Sequence, residues 1–304
     1  MPNDRDAWIV VVSAVWHGRP AVVADPGTLG DALTLARRND VDGPFLRAYE
    51  ERLPVERAEV EEAVARYRAN LAMACGLLRA AGVAPILIKA SPADDVTYSN
   101  FDLVVGDDGW DDAVRALRPW VVRVERYPLE RGTKLLLYPP SGPAVHLHRS
   151  VGWFDVPAIP TEPIRARALV LDPGGPLVPA PVDALRIQLA HAVFQNQSLS
   201  LGELLAIRDR LGPATVTEAR ALAAAEGWPL GFDLATRTAL AAVERLDALE
   251  RCPLPAPLPI VAGVAAGVEH ALHLARTGRA AIAARELLLR GPLVAAKQRR
   301  LRLA

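Results

Sequence analysis

Two short segments carry most of the chemistry in this sequence. "NFDLVV" (100–105) holds one carboxylate, Asp102, inside an otherwise apolar run, and "AVHLHRS" (144–150) holds two imidazoles, His146 and His148. An unpaired carboxylate within a buried strand costs several kcal/mol or takes up a proton. Asp102 therefore belongs either at an exposed strand end or in a site. Residues at i and i+2 of a strand share a face, so Asn100 accompanies Asp102 and His146 accompanies His148. Imidazole titrates near neutrality and serves as acid or base. Converging, the three groups would bind a transition metal or form a metal-free proton-transfer set.

Other candidates surround them. Lys89 closes the strand-like "PILIK" and is one of only three lysines, with Lys134 and Lys297. It would meet a phosphate or point into solvent. Ser91 follows in a small-residue turn, and Arg149 follows His148. Asp94 and Asp95 read as turn residues able to lend charge to the site. His191 and Asp209 stand in helical segments, where they either pack helices or touch a ligand. His270 and His273, at i and i+3 in "VEHALHL", share a helix face that reads as solvated. Ser150 and Cys75 have no base beside them in sequence.

Recognisable elements must position these groups. Segment 31–53 reads as two short helices broken at Asp42-Gly43-Pro44. After Pro54 the positions Val60, Val64, Tyr67, Leu71, Ala74 and Leu78 alternate steps of four and three, which marks a long helix with one apolar face, stopped by Gly82. "APILIK", "FDLVV", "WVVRVERY", "TKLLLYP" and "AVHLHRS" are strand-like, with a helix over about 108–117 capped by Asp107 or Asp108. Five strands and their helices predict an α+β core. The organisation reads as an N-terminal helical segment (1–54), this core (55–150), a Pro/Gly-rich connector wrapping the surface (151–181) and an all-helical half (182–304).

Composition narrows the classes. Lys plus Arg equals Asp plus Glu at 35 each, so no global charge favours nucleic acid or an anionic membrane. Two distant cysteines give neither a disulfide framework nor a metal-binding spacing. No stretch approaches the roughly 20 apolar residues of a membrane span, and "AWIVVVSAVW" lacks the positive flank of a signal peptide. These features predict a cytoplasmic protein with no nucleic-acid or membrane partner, and leave a partner protein open.

The order of "LLRAAGVAPILIKAS", "NFDLVV", "VHLHRS", "LRIQLAHAVF" and "LLAIRDRL" resembles an uncharacterised bacterial nucleotidyltransferase family of the polymerase-beta-like superfamily, across most of residues 30–212. The resemblance implies a small nucleotidyltransferase-like mixed sheet. It also implies nucleotidyl or phosphoryl transfer from a nucleoside triphosphate to a hydroxyl of a small molecule or peptide, with Mg²⁺ or Mn²⁺, and a setting in bacterial natural-product biosynthesis. Where that family places its first and third metal-binding acids, this sequence has Asn100 and His146. Mg²⁺ prefers hard oxygen ligands, so the favoured expectation is a diverged cleft. In it Asp102, His146 and His148 perform metal-independent acid/base chemistry such as a cyclisation or isomerisation, while Lys89, Ser91, Asn100, Arg149 and His191 bind substrate. The alternatives are diverged metal-dependent transfer with Asp102 as ligand, and a non-catalytic binding protein.

Overall fold

The computed structural model describes residues 4–23, 25–89 and 100–303; Ser91, Asp94 and Asp95 lie outside them. The apolar N-terminal run folds as α1 (Asp4–Val15), burying Trp8, Val11 and Val12. Next come α2 (Pro26–Arg38) and α3 (Asp42–Ala48). α2 begins earlier than expected because the Asp25 carboxylate accepts from the Gly27 and Thr28 amides, satisfying donors that a helix start leaves free. Asp42-Gly43-Pro44 is the first turn of α3 rather than a break, and a proline there removes no helical hydrogen bond. In α4 (Pro54–Ala80) all six expected stripe positions are buried, and Gly82 follows at φ +76°.

The strands are β1 (Ile86–Ile88), β2 (Asn100–Val104), β3 (Arg123–Glu125), β4 (Lys134–Tyr138) and β5 (Ala144–His148), with α5 (Trp110–Leu117) between β2 and β3. Gly109 occupies the cap of α5 without a side-chain bond; Asp107 instead lies 3.6 Å from the Arg149 guanidinium. The expected connector is more structured than its Pro/Gly content indicates. It forms the hairpin β6 (Val151–Trp153) and β7 (Val156–Ile159), then α6 (Thr161–Arg167), β8 (Leu169–Val170) and β9 (Leu177–Val178). β9 pairs parallel with β1, giving a mixed seven-stranded sheet in the order β3-β4-β5-β2-β1-β9-β8. Two-residue strands are too short to show alternation, so five strands of this sheet were legible and β8 and β9 were not.

Register decides which face carries chemistry. β2 pairs parallel with β5, setting Asp102 opposite His146, and antiparallel with β1, setting it opposite Ile88. β4 sets Lys134 opposite His148. The alternate residues Phe101, Leu103, Leu135, Val145 and Leu147 enter a core with α4 and α5. Asn100, Asp102, Lys134, His146 and His148 therefore share the opposite face.

That face looks toward the helical half. α7 (Pro181–His191) runs into a π-helical turn at Ala192–Asn196, followed by α8 (Leu201–Arg208), α9 (Pro213–Ala225), α10 (Pro229–Asp247), α11 (Ile260–Arg276) and α12 (Ala280–Leu303). None of the described helices is long and apolar enough to cross a membrane. Asp183 on α7 is fully buried between Arg167 and Arg186, and Arg186 also meets Glu226. α1 is tied to the far end of the chain, the Trp8 indole donating to the Cys252 carbonyl at 3.0 Å and the Trp16 indole to Asp247 at 2.7 Å.

α8 starts with a capping box. Ser200 accepts from the Glu203 amide at 3.2 Å, and the Glu203 carboxylate accepts from the Ser200 amide at 2.8 Å. Ser200→Ala is expected to cost about 1 kcal/mol, read from the urea midpoint at unchanged slope. No change in midpoint would show that the cap is not made in solution. His270 departs from its expected solvated face: it is buried, with its ring 5.2 Å from that of Phe194 and its Nδ1 without a partner. The π-turn and α12 pack against α11 and enclose that face.

Candidate functional site

Asp102 is the centre of the sheet face. Its Oδ1 lies 2.7 Å from His148 Nε2 and 3.5 Å from His146 Nδ1, and its Oδ2 lies 2.9 Å from Lys89 Nζ. An ionised carboxylate only accepts, so His148 donates its Nε2–H. The 3.5 Å separation is long for a hydrogen bond, which leaves His146 the loosest of the three neighbours. Burial alone would raise the Asp102 carboxyl; the Lys89 ammonium and the two imidazoles outweigh it and hold the carboxyl well below the ordinary carboxylate range. Burial pushes His148 down to about 4 against the pull of Asp102, so it is neutral at pH 7.

Lys89 reaches this position through an unusual backbone. Its φ of +68° is left-handed, a conformation that costs a non-glycine residue about 1–2 kcal/mol. Strain of this kind persists where the surroundings over-determine the geometry, and it clusters at sites. Here it turns a strand-end lysine onto a buried carboxylate.

Above the sheet face opens a cleft of about 400 Å³. Lys89, Asn100, Asp102, Lys134 and His146 form its sheet wall; Gln188, His191, Gln195, Asn196 and Glu203 form its helical wall, with Asp40 at the rim. Gln188, His191 and Gln195 are spaced at three and four residues, so α7 and the π-turn present them on one side. π-turns occur frequently at functional sites. His191 Nδ1 is 3.0 Å from Glu203 Oε1, so that nitrogen carries the proton. Burial, aided by the Lys89 charge, lowers the His191 pKa against Glu203, keeping this imidazole neutral. Asp40 is pushed up to about 6 by its enclosure at the rim and by the Glu203 carboxylate.

The structure thus gathers five of the expected residues into the cleft: Lys89, Asn100, Asp102, His146 and His191. His148 stands beneath it, buried and holding Asp102. Arg149, expected to bind substrate, does not line the cleft. Its guanidinium lies over the Trp110 ring at 4.7 Å and near Asp107, because the chain leaves β5 after His148 and the side chain is carried toward α5. Asp209 caps α8 with its side chain in solvent. Lys134 was missed although lysine is scarce here, and two of the three lysines line the cleft. Glu203 was missed as well, although Ser200 and Glu203, three residues apart ahead of an apolar run, carry the pattern of a capping box. Asp40, Gln188, Gln195 and Asn196 had no signal, since only tertiary packing brings them to the sheet.

The donor set does not suit the Mg²⁺ that the family resemblance implies. One carboxylate faces two imidazoles, and an ammonium lies 2.9 Å from its outer oxygen, whereas Mg²⁺ requires several hard oxygen ligands. No family model matches the chain, and neither does any curated protein or solved structure.

Proposed function

We propose that the cleft carries out metal-independent acid/base chemistry, a proton transfer of the kind that drives isomerisation or cyclisation, on a small molecule or peptide. The observation that supports it is the arrangement at Asp102: a buried ionised carboxylate held by Lys89 and His148, with His146 beside it at the cleft surface. His146 is the proton carrier. With its Nδ1 turned to Asp102, its Nε2 is the atom that accepts or gives a proton, and the imidazolium that forms is stabilised by the carboxylate. Lys89 keeps Asp102 ionised and supplies positive charge where substrate charge develops. The resemblance to diverged nucleotidyltransferases and a natural-product setting belong to this reading.

The second reading, a metal centre, is favoured by one feature: ligand atoms of Asp102, His146 and His148 all lie within 4.8 Å of one another, a donor set suited to Zn²⁺. Metal titration separates the two. The acid/base reading expects neither a saturable thermal shift with Zn²⁺ or Mn²⁺ nor one with a nucleoside triphosphate plus Mg²⁺. It also expects His146→Gln to lower turnover by about 10²–10⁴-fold with unchanged melting temperature. A nucleotide shift that needs metal and vanishes in Asp102→Ala would overturn it in favour of phosphoryl chemistry.

A further inference from the structure

The helical wall of the cleft holds a second oriented imidazole that the chemistry proposed at Asp102 leaves idle. His191 Nδ1–H donates to Glu203 Oε1 at 3.0 Å, and Glu203 Oε2 is itself held by the Ser200 amide at 2.8 Å. An imidazole pinned at one nitrogen by a fixed carboxylate presents its other nitrogen in a set direction. The ring plane is fixed as well: Trp153, itself buried, lies 5.8 Å away between ring centroids at 39°. Nε2 has no bonding partner among the described residues, yet it is not sealed from solvent. It therefore opens into the cleft that His191 lines.

The two walls are close enough to act on each other. Lys89 and Asp102 on the sheet side and Glu203 on α8 all contribute to the field at His191, and Asp40 bears on Glu203. The fields at the two imidazoles differ in kind. His146 stands beside the ionised Asp102, which stabilises an imidazolium formed there, whereas burial and Lys89 favour the neutral ring at His191. Paired groups whose surroundings favour opposite protonation states are the arrangement of an acid and a base. Protons on oxygen or nitrogen exchange with water unaided, so two enclosed imidazoles are needed where the proton leaves carbon.

We infer that His191 is a second catalytic acid/base group: its Nε2 takes a proton from a carbon acid lying between the walls, and His146 returns one from the sheet side. The C–H electron pair stays on the substrate as an enolate or its nitrogen equivalent until the second proton arrives, and the two rings reset by exchange with water. Glu203 is a positioning residue. The substrate class is a small molecule or peptide with a C–H beside a carbonyl or imine. The inference rests on the cleft being the substrate site proposed above.

Assay of the full chain with 5-nitrobenzisoxazole tests it, because this uncharged carbon acid reports a positioned base. The base takes the ring C–H proton, the C=N bond becomes a nitrile as N–O breaks, and the oxygen leaves as a coloured phenolate that needs no acid. Saturable ring opening is expected. His191→Ala, or His191→Gln where the alanine variant does not fold, should be slower by about 10²-fold. The neutral ring is the active form, so the rate should fall only below the roughly 6.5 of an ordinary histidine. Glu203→Gln keeps a capping-box partner but removes the charge that favours the imidazolium, so this limb should move to lower pH. His273→Gln, on α11 and outside the cleft, should change nothing. The inference is overturned by ring opening no faster than with free imidazole, by a rate that survives loss of His191, or by a limb that Glu203→Gln leaves in place. A rate lost in His146→Gln but kept in His191→Ala would overturn it and leave the acid/base reading standing.

Discussion

Asp102→Ala is expected to lower the folding free energy by about 3–5 kcal/mol, the range for removing one partner of a buried ion pair. The loss arises from what remains. The Lys89 ammonium, with a side chain only 18% exposed, loses the oxygen 2.9 Å away, and His148 loses the acceptor of its one donated proton. Removing the lysine as well, in Lys89→Met with Asp102→Asn, should recover much of the deficit, since no charge is then left without its counterpart. The pH dependence follows from the depressed carboxyl. Its stabilisation is fully present above the ordinary unfolded value near 3.9 and disappears as pH falls through the lower folded value. The wild-type protein should accordingly lose stability more steeply below pH 4 than Asp102→Ala does, the His270 titration being common to both. Urea midpoints measured at pH 7 and pH 3 check both statements, and a loss below about 1 kcal/mol at pH 7 would show that the pair is solvated.

A second large effect belongs to His270. Burial, reinforced by Arg290, His273 and Arg279, pushes its pKa down to about 3, and its Nδ1 lacks a partner. The unfolded chain takes up a proton near 6.5, the folded one only near 3. Stability is therefore complete above pH 6.5 and declines as pH falls toward 3, with about 2 kcal/mol gone by pH 5 and roughly 4–5 kcal/mol at the end of the window. His148, at about 4, declines over the upper part of the same window. His270→Phe keeps an aromatic ring against Phe194 and abolishes one of the two titrations. It should match or exceed wild-type stability at pH 7, because a buried orphan nitrogen is removed, and it should lose about 2 kcal/mol less between pH 7 and pH 5. An unchanged acid limb would place the imidazole in contact with solvent.

Whether a residue was legible depended on whether its environment is local. The α4 stripe from Val60 to Leu78 was readable because one face of a long helix repeats its pattern for several turns. Asp102, His146 and His148 were readable for the equivalent strand reason: alternation across β2 and β5 separates Asn100, Asp102, His146 and His148 from the apolar partners behind them. β8 and β9 were not, since two-residue strands contain no period. His270 was misjudged because two helix faces of α11 are covered, one of them by the π-turn, and spacing within α11 says nothing about its neighbours. Arg149 was misjudged by one residue of geometry: alternation ends with β5 at His148, and the next side chain follows the turn. The helical wall of the cleft escaped because its amides and Asp40 look like ordinary helix and turn residues until packing sets them opposite a carboxylate.

The bond from the Trp8 indole to the Cys252 carbonyl spans 244 residues. During synthesis the chain emerges from its N-terminal side, and α1, with its run of isoleucine and valines, leaves the ribosome long before the segment that will cover it exists. Throughout that interval those side chains have no native partner on the far side, and the helix depends on α2 and α3 or on a chaperone to keep it from associating with other nascent chains. A ribosome-stalled chain ending before Cys252 should be bound by a holdase through α1 and released once the Trp16–Asp247 and Trp8–Cys252 contacts have been translated.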